Sequence, residues 1–189
     1  MKKLYLKIAA LYKKSVFMKK TFLGKNSRIG PKAKIINKSK NKPHVGEHVT
    51  FLGTLDIGPK GQISIGDNSV VRYSTQIRSA LNISIGSEVI IANNVYICDH
   101  DSHPTNPQKR SEMCKEDHEG PMWDWEHAKQ APIIIEDNVW IGRYVTIMKG
   151  VTIGAGSIIA SNTVVSKDVP SYSLCFGNPG IVKNGIYRE

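Results

Sequence analysis

Aromatic side chains make up only 7% of this 189-residue chain. That scarcity argues against a thick core built on large rings and suits thin layers filled by Ile and Val. Cysteine is scarcer still. Cys98, Cys114 and Cys175 are scattered and odd in number, without the paired spacing of a disulfide framework or a zinc site, so a reducing cytoplasmic compartment is expected. No apolar run is long enough to cross a bilayer. Acidic residues are missing from positions 1–46, which hold thirteen Lys and Arg28. The formal net charge of +10 therefore belongs to the N-terminus, and the remainder is mildly acidic. Lys7, Lys13 and Lys14 interrupt any signal-peptide apolar segment. A basic arm without a recognition motif does not make a nucleic-acid binder, and no nucleic-acid partner is expected.

What the chain has in abundance is a short period. Six consecutive hexapeptides begin at Ile135, Ile141, Ile147, Ile153, Ile159 and Val165. Each opens on an aliphatic residue. Small, Asn, Asp or Gly residues fill most third and fourth positions, as in Asp137-Asn138, Ala155-Gly156 and Ser161-Asn162. A fixed short period specifies a coil rather than a layered domain. The aliphatic residue points inward and stacks on its copy one coil away, while the small residues tolerate a left-handed backbone at sharp corners. Three flat faces make one triangular coil of a parallel β-helix.

The pattern also runs upstream. Val45-Gly46-Glu47-His48-Val49, Ile65-Gly66-Asp67-Asn68-Ser69 and Ile85-Gly86-Ser87-Glu88-Val89 recur every twenty residues. Phe51, Ile57, Val71, Ile77, Ile91 and Ile97 each follow six residues on, so these coils read as three hexapeptides plus two extra corner residues. Register breaks after Ile97 and returns at Ile135, which makes residues 98–132 an excursion loop holding four of the six histidines. Long loops in compact folds are usually functional.

The chain therefore divides into a basic N-terminal helix over 1–24, an all-β domain over 25–183 and a tail over 184–189. In the first segment Leu4, Ile8, Leu11, Tyr12 and Val16 fall at helical spacing among lysines. Two readings stand: a helix lying on the anionic inner face of a membrane, or a cap that packs on the first coil and exposes its lysines.

The run Ile135 to Gly142, then Lys149 to Gly154, Ser166-Lys167-Asp168-Val169-Pro170 and Gly177-Asn178-Pro179 resembles the hexapeptide-repeat O-acetyltransferases. These include the galactoside, maltose, nodulation-factor and polysaccharide O-acetyltransferases. The resemblance covers residues 45–183 and is most specific over 133–182. It implies a left-handed parallel β-helix, a homotrimer with active sites between subunits, and acetyl-CoA as acyl donor, with no metal. The implied reaction is acetyl transfer to a sugar hydroxyl, within a cell-surface polysaccharide or its precursor. The alternatives are an antibiotic or other small-molecule acetyltransferase and a non-catalytic structural β-helix.

A sugar hydroxyl needs a positioned base as it attacks the thioester, and imidazole suits that task. Within Cys98-Asp99-His100-Asp101-Ser102-His103-Pro104 the resemblance points to His103 as base, with His100 as rival. Asp101 or Asp99 is a candidate to orient the ring, or only to start a turn. A rival mechanism makes Cys98 a nucleophile beside His100. The resemblance assigns CoA contacts to Gly142, Ser161, Ser166, Lys167 and Lys183. Arg72, which stands where galactoside-type enzymes carry Asn, would place a positive charge near the acceptor, suited to an acidic sugar or a phosphate, or form a structural ion pair between coils. Trp140 is too large for the coil interior and faces the interface or the cleft. Trp123 and Trp125, in a segment rich in acids, suggest a sugar-binding lid or packing against a neighbouring subunit.

Overall fold

A computed structural model describes residues 15–118 and 120–185. Its three parallel sheets are the three faces of a β-helix and hold six, eight and six strands. The first complete coil places Phe22–Leu23, Arg28–Ile29 and Lys34–Asn37 on the first, second and third faces. The chain repeats that circuit until Thr152–Ile153, Ile158–Ile159 and Val164–Val165. Ser173–Phe176 extends the second face, and Ile181–Asn184 folds back antiparallel on it.

The strands are mostly two to four residues long because only the inward aliphatic and its outward neighbour belong to each face. Ile65, Ile85, Ile135 and Ile153 stack in one inward column, and Val71, Ile91, Ile141 and Ile159 in another. All eight are 2% exposed or less. The corners explain the small residues. Asn26, His48, Asn68, Glu88, Asn138, Gly156 and Tyr172 all have φ between 56° and 67°, the left-handed region that side chains resist. From His48 onward each also donates its backbone N–H to a carbonyl of the preceding coil, as His48 does to Lys25 and Tyr172 to Ala155. The inter-coil bond holds His, Glu and Tyr in a conformation they would not choose alone.

One corner departs from the six-residue step. Ile77 pairs with Leu55, not Ile57, and Ile57 pairs with Ser79. Leu55 in turn pairs with Ile35. The second coil therefore passes from Phe51 to Leu55 in four residues, where its neighbours take six from Ile29 to Ile35 and from Val71 to Ile77. Alternation hid this shift. Leu55 and Ile57 both point inward, at 0% and 1% exposure, so a period-two strand satisfies either register.

The N-terminal helix falls mostly on residues outside those described. Residues 15–20 are helical, and the first strand already begins at Phe22. Phe17 is buried and meets Phe51 at a ring separation of 5.4 Å, while Lys19 and Lys20 are exposed. The anchor is Phe17 rather than Val16, which is only half-buried. No described helix is long and apolar enough to cross a membrane.

Candidate active site

The excursion leaves the stack after Tyr96–Cys98 and returns at Ile133–Ile135. The coils close beneath it, since Ile83 pairs directly with Ile133 and Ile97 with Ile147. The excursion is not structureless. Pro107–Lys115 is an α-helix whose Asn106 side chain accepts from Lys109 N at 3.0 Å. Asn followed by Pro at the first turn is a start signal that hexapeptide counting passes over. Two short 3-10 turns follow, Pro121–Trp123 and Trp125–His127.

The loop docks on this chain's own third face. The guanidinium of Arg78 lies 4.7 Å from the centre of the Trp125 ring, and His100 stacks on Trp125 at 4.1 Å. Cation–π attraction and ring stacking thus act on one indole. Arg78 is held in turn by the Asp56 carboxylate at 3.3 Å and the Tyr96 hydroxyl at 3.0 Å. A Cβ at Gly58 would come within 3.0 Å of the same indole, so glycine lets it lie flat. Lys60 and Glu126 add an exposed ion pair at 3.2 Å.

The two candidate histidines have opposite surroundings. His100 is 5% exposed. Its Nδ1 accepts the backbone N–H of Ser102 at 3.0 Å, which leaves the proton of the neutral ring on a buried Nε2 that has no partner among the described residues. Burial first, then the Arg78 charge, lower its pKa to about 4. His100 has no free lone pair to accept a substrate proton. His103 is exposed and sits edge-on to Trp123 at 5.7 Å. His118 approaches the same indole at 4.6 Å.

Neither carboxylate orients an imidazole through a hydrogen bond. Asp99 is fully buried and receives the N–H groups of Ala80 at 2.7 Å and Leu81 at 3.0 Å, with the Ser79 hydroxyl 2.8 Å away. It is a structural acceptor that ties the loop's first residues to the third coil. Asp101 forms a close ion pair with Lys149. Sequence counting missed Arg78 and Lys149, because their partners lie about twenty and fifty residues away along the chain. Burial pushes the Cys98 thiol pKa up, and Cys98 Sγ lies 3.1 Å from the His100 carbonyl, so the thiolate a nucleophile requires is disfavoured.

The other expected positions spread along the helix. Ser161, Ser166, Lys167 and Lys183 are exposed on the last coils. Ser161 Oγ accepts the N–H of Arg143 at 3.1 Å. A Cβ on Gly142 would fall 2.6 Å from Ser161 N, so close stacking of coils already requires glycine there. Trp140 faces outward at 53% exposure, paired with the half-exposed Ile90. Arg72 is exposed and lies 6.0 Å from the Tyr73 ring. Among the described residues no group of three or more His, Cys, Asp or Glu is placed to hold a metal.

Residues 132–167 match the bacterial transferase hexapeptide (six repeats), and residues 78–98 match the hexapeptide repeat of succinyl-transferase. The chain is 34% identical to galactoside O-acetyltransferase of Escherichia coli over 135 residues, which is 71% of this chain and 60% of that protein. It is 31% identical to a probable acetyltransferase of Mycobacterium tuberculosis, over 75% of this chain and 42% of that protein. The chain spans between 42% and 60% of the length of these curated relatives. A hexapeptide-repeat acetyltransferase of Vibrio cholerae, solved with acetyl coenzyme A, superposes with a TM-score of 0.65 at 24% identity, covering 94% of this chain and 78% of that one. A point mutant of the N-acyltransferase AntD of Bacillus cereus, with dTDP and coenzyme A, gives 0.70 at 19%, covering 90% and 88%. These two share the fold. The hexapeptide repeats are thus matched on both sides of the excursion, and the chain is similar in sequence and fold to hexapeptide-repeat acetyltransferases.

Proposed function

We propose that this protein is an acetyl-CoA-dependent O-acetyltransferase that acts on a sugar hydroxyl, in a cell-surface polysaccharide or its precursor, with His103 as general base. One observation carries the choice of base. Of the two histidines beside the coil, only His103 presents an accessible ring, whereas His100 is buried with its Nδ1 lone pair engaged. The acceptor oxygen attacks the thioester carbonyl while His103 takes its proton. A carbon–oxygen bond forms, the carbon–sulfur bond breaks, and the proton passes to the departing thiolate. No covalent enzyme intermediate is needed when both substrates bind together.

Ser161, Ser166 and Lys167 are exposed on the coils beyond the excursion and suit a polar, phosphate-bearing donor; Lys183 is exposed on the final strand. Trp123 and Trp125 offer rings for the acceptor. We place the reaction in the cytoplasm, where free Cys98, Cys114 and Cys175 stay reduced. The active unit in this reading is a homotrimer whose contact includes the outward apolar strip of Ile90 and Trp140.

The test is a calorimetric titration with acetyl-CoA and free CoA, followed by turnover on sugars with hydroxyl or amino acceptors. Saturable donor binding near one site per chain is expected. His103→Ala should lower turnover by about 10²–10⁴-fold, the usual contribution of a general base, with donor affinity unchanged. Turnover within a few-fold of wild type removes His103 from the role. Absence of donor binding at millimolar concentration removes the enzyme reading, and a strict preference for amino sugars replaces O- with N-transfer.

A further inference from the structure

The shortened corner of the second coil makes a site. Because Leu52-Gly53 turns in two residues fewer than the corners on either side, the surface is recessed there, between the corners at Pro31-Lys32 and Tyr73-Ser74. The recess is a groove of about 720 Å³. Its floor is a column of outward residues, Lys34, Thr54 and Gln76, paired across three coils. Neighbouring strands in such a column are about 4.8 Å apart, a spacing that places hydroxyl, amide and ammonium groups along adjoining sugar rings. Tyr73 supplies an apolar wall at 38% exposure.

The charge of the groove is positive. Lys32 and Lys34 line it, are exposed, and take part in none of the ion pairs among the described residues. The one carboxylate of the lining, Asp56, is already paired with Arg78 at 3.3 Å. The groove also leads somewhere. A second cavity of about 270 Å³ shares Ile36 and Asp56 with it and is bounded on its far side by Trp123 and Trp125, the indoles against which His103 and His100 sit.

We infer that this groove binds the acceptor, and that the acceptor is an anionic sugar whose carboxylate or phosphate rests on Lys32 and Lys34. The ring lies against Tyr73 and over Thr54 and Gln76, and the chain of sugars continues past Asp56 towards the tryptophan loop. This deepens the acetyltransferase reading and rests on it for the identity of the bound molecule as acceptor. The positive charge that the sequence suggested at Arg72 is supplied in the groove by two lysines of the first coil.

The test is equilibrium binding of glucuronic acid, glucose 6-phosphate, glucose and inorganic phosphate to the full chain at low salt. Donor binding is measured on the same samples. At least one anionic sugar should bind ten-fold or more tighter than both glucose and inorganic phosphate; the two anionic sugars separate a carboxylate from a phosphate acceptor. That preference should vanish in Lys32→Gln/Lys34→Gln and persist in Lys19→Gln/Lys40→Gln, which removes two exposed charges outside the groove. Thr54→Trp, which fills the floor while keeping both lysines, should also abolish it. Equal binding of glucose and the anionic sugars overturns the proposal. So does equal loss in both double variants, or phosphate matching the tighter-binding of the two anionic sugars. If acetyl-CoA still binds in those cases, the groove assignment fails alone and the acyltransferase reading survives.

Discussion

His100 shows how one position decides what its neighbour can do. The ring is stacked on Trp125, which the Arg78 guanidinium also approaches, and lends its Nδ1 lone pair to the Ser102 backbone. Protonation would destroy that hydrogen bond and place a charge in a buried site beside a guanidinium. The folded pKa of about 4 lies below the ordinary 6.5. The unfolded chain therefore binds the proton first, and stability rises with pH across that interval. Conversely, it is lost as pH falls from 6.5 towards 4, by about 3 kcal/mol from this group. In His100→Phe, which keeps the stack, urea unfolding measured at pH 6.5 and pH 4.5 should differ by correspondingly less than in wild type. An unchanged difference would mean that the ring is solvated.

At the scale of elements, the excursion and the short corner are both exceptions to the hexapeptide, and both line the proposed acceptor path. Trp125, against which Arg78 and Gly58 of the coils lie, anchors the later part of the excursion. Trp125→Ala should release it. Limited proteolysis between residues 105 and 128 should accelerate about ten-fold or more, while the coils, whose pairing bypasses the loop, keep their melting temperature within a few degrees. The corner admits the opposite experiment. Inserting Ser-Gly between Leu52 and Gly53 restores the six-residue step. Circular dichroism should be unchanged, and the anionic-sugar preference should fall to that of Lys32→Gln/Lys34→Gln. A collapsed fold would show instead that the second coil tolerates only the shorter turn.

The whole molecule is a stack in which each coil buries its aliphatics only against the coils above and below, so stability is a sum of neighbour contacts. The apolar outward pair of Ile90 and Trp140 is an exception on the second face, since an isolated coil gains nothing from exposing it. For the proposed trimer, sedimentation should give three chains. Trp140→Glu should shift the species to single chains and reduce turnover at least ten-fold if, as the family resemblance implies, the active sites lie between subunits. A monomeric wild type with full activity would dismiss the shared site.

The sequence by itself determined the β-helix, because the inward column needs an aliphatic every six residues and the corners need small or amide side chains at fixed offsets. Both rules are local and periodic, so counting from Ile135 to Val165 finds them. It also located the excursion as a break in that count. Only the tertiary structure decided what the irregular parts do. Whether Leu55 or Ile57 keeps register is invisible when both point inward, yet it creates the groove. Which histidine is free and which is locked depends on Arg78, Trp125 and Ser102, and which carboxylate is spent on backbone depends on Ser79, Ala80 and Leu81. Most of those partners meet across coils, about twenty residues apart or more, where burial and pairing are properties of the stack and not of any segment.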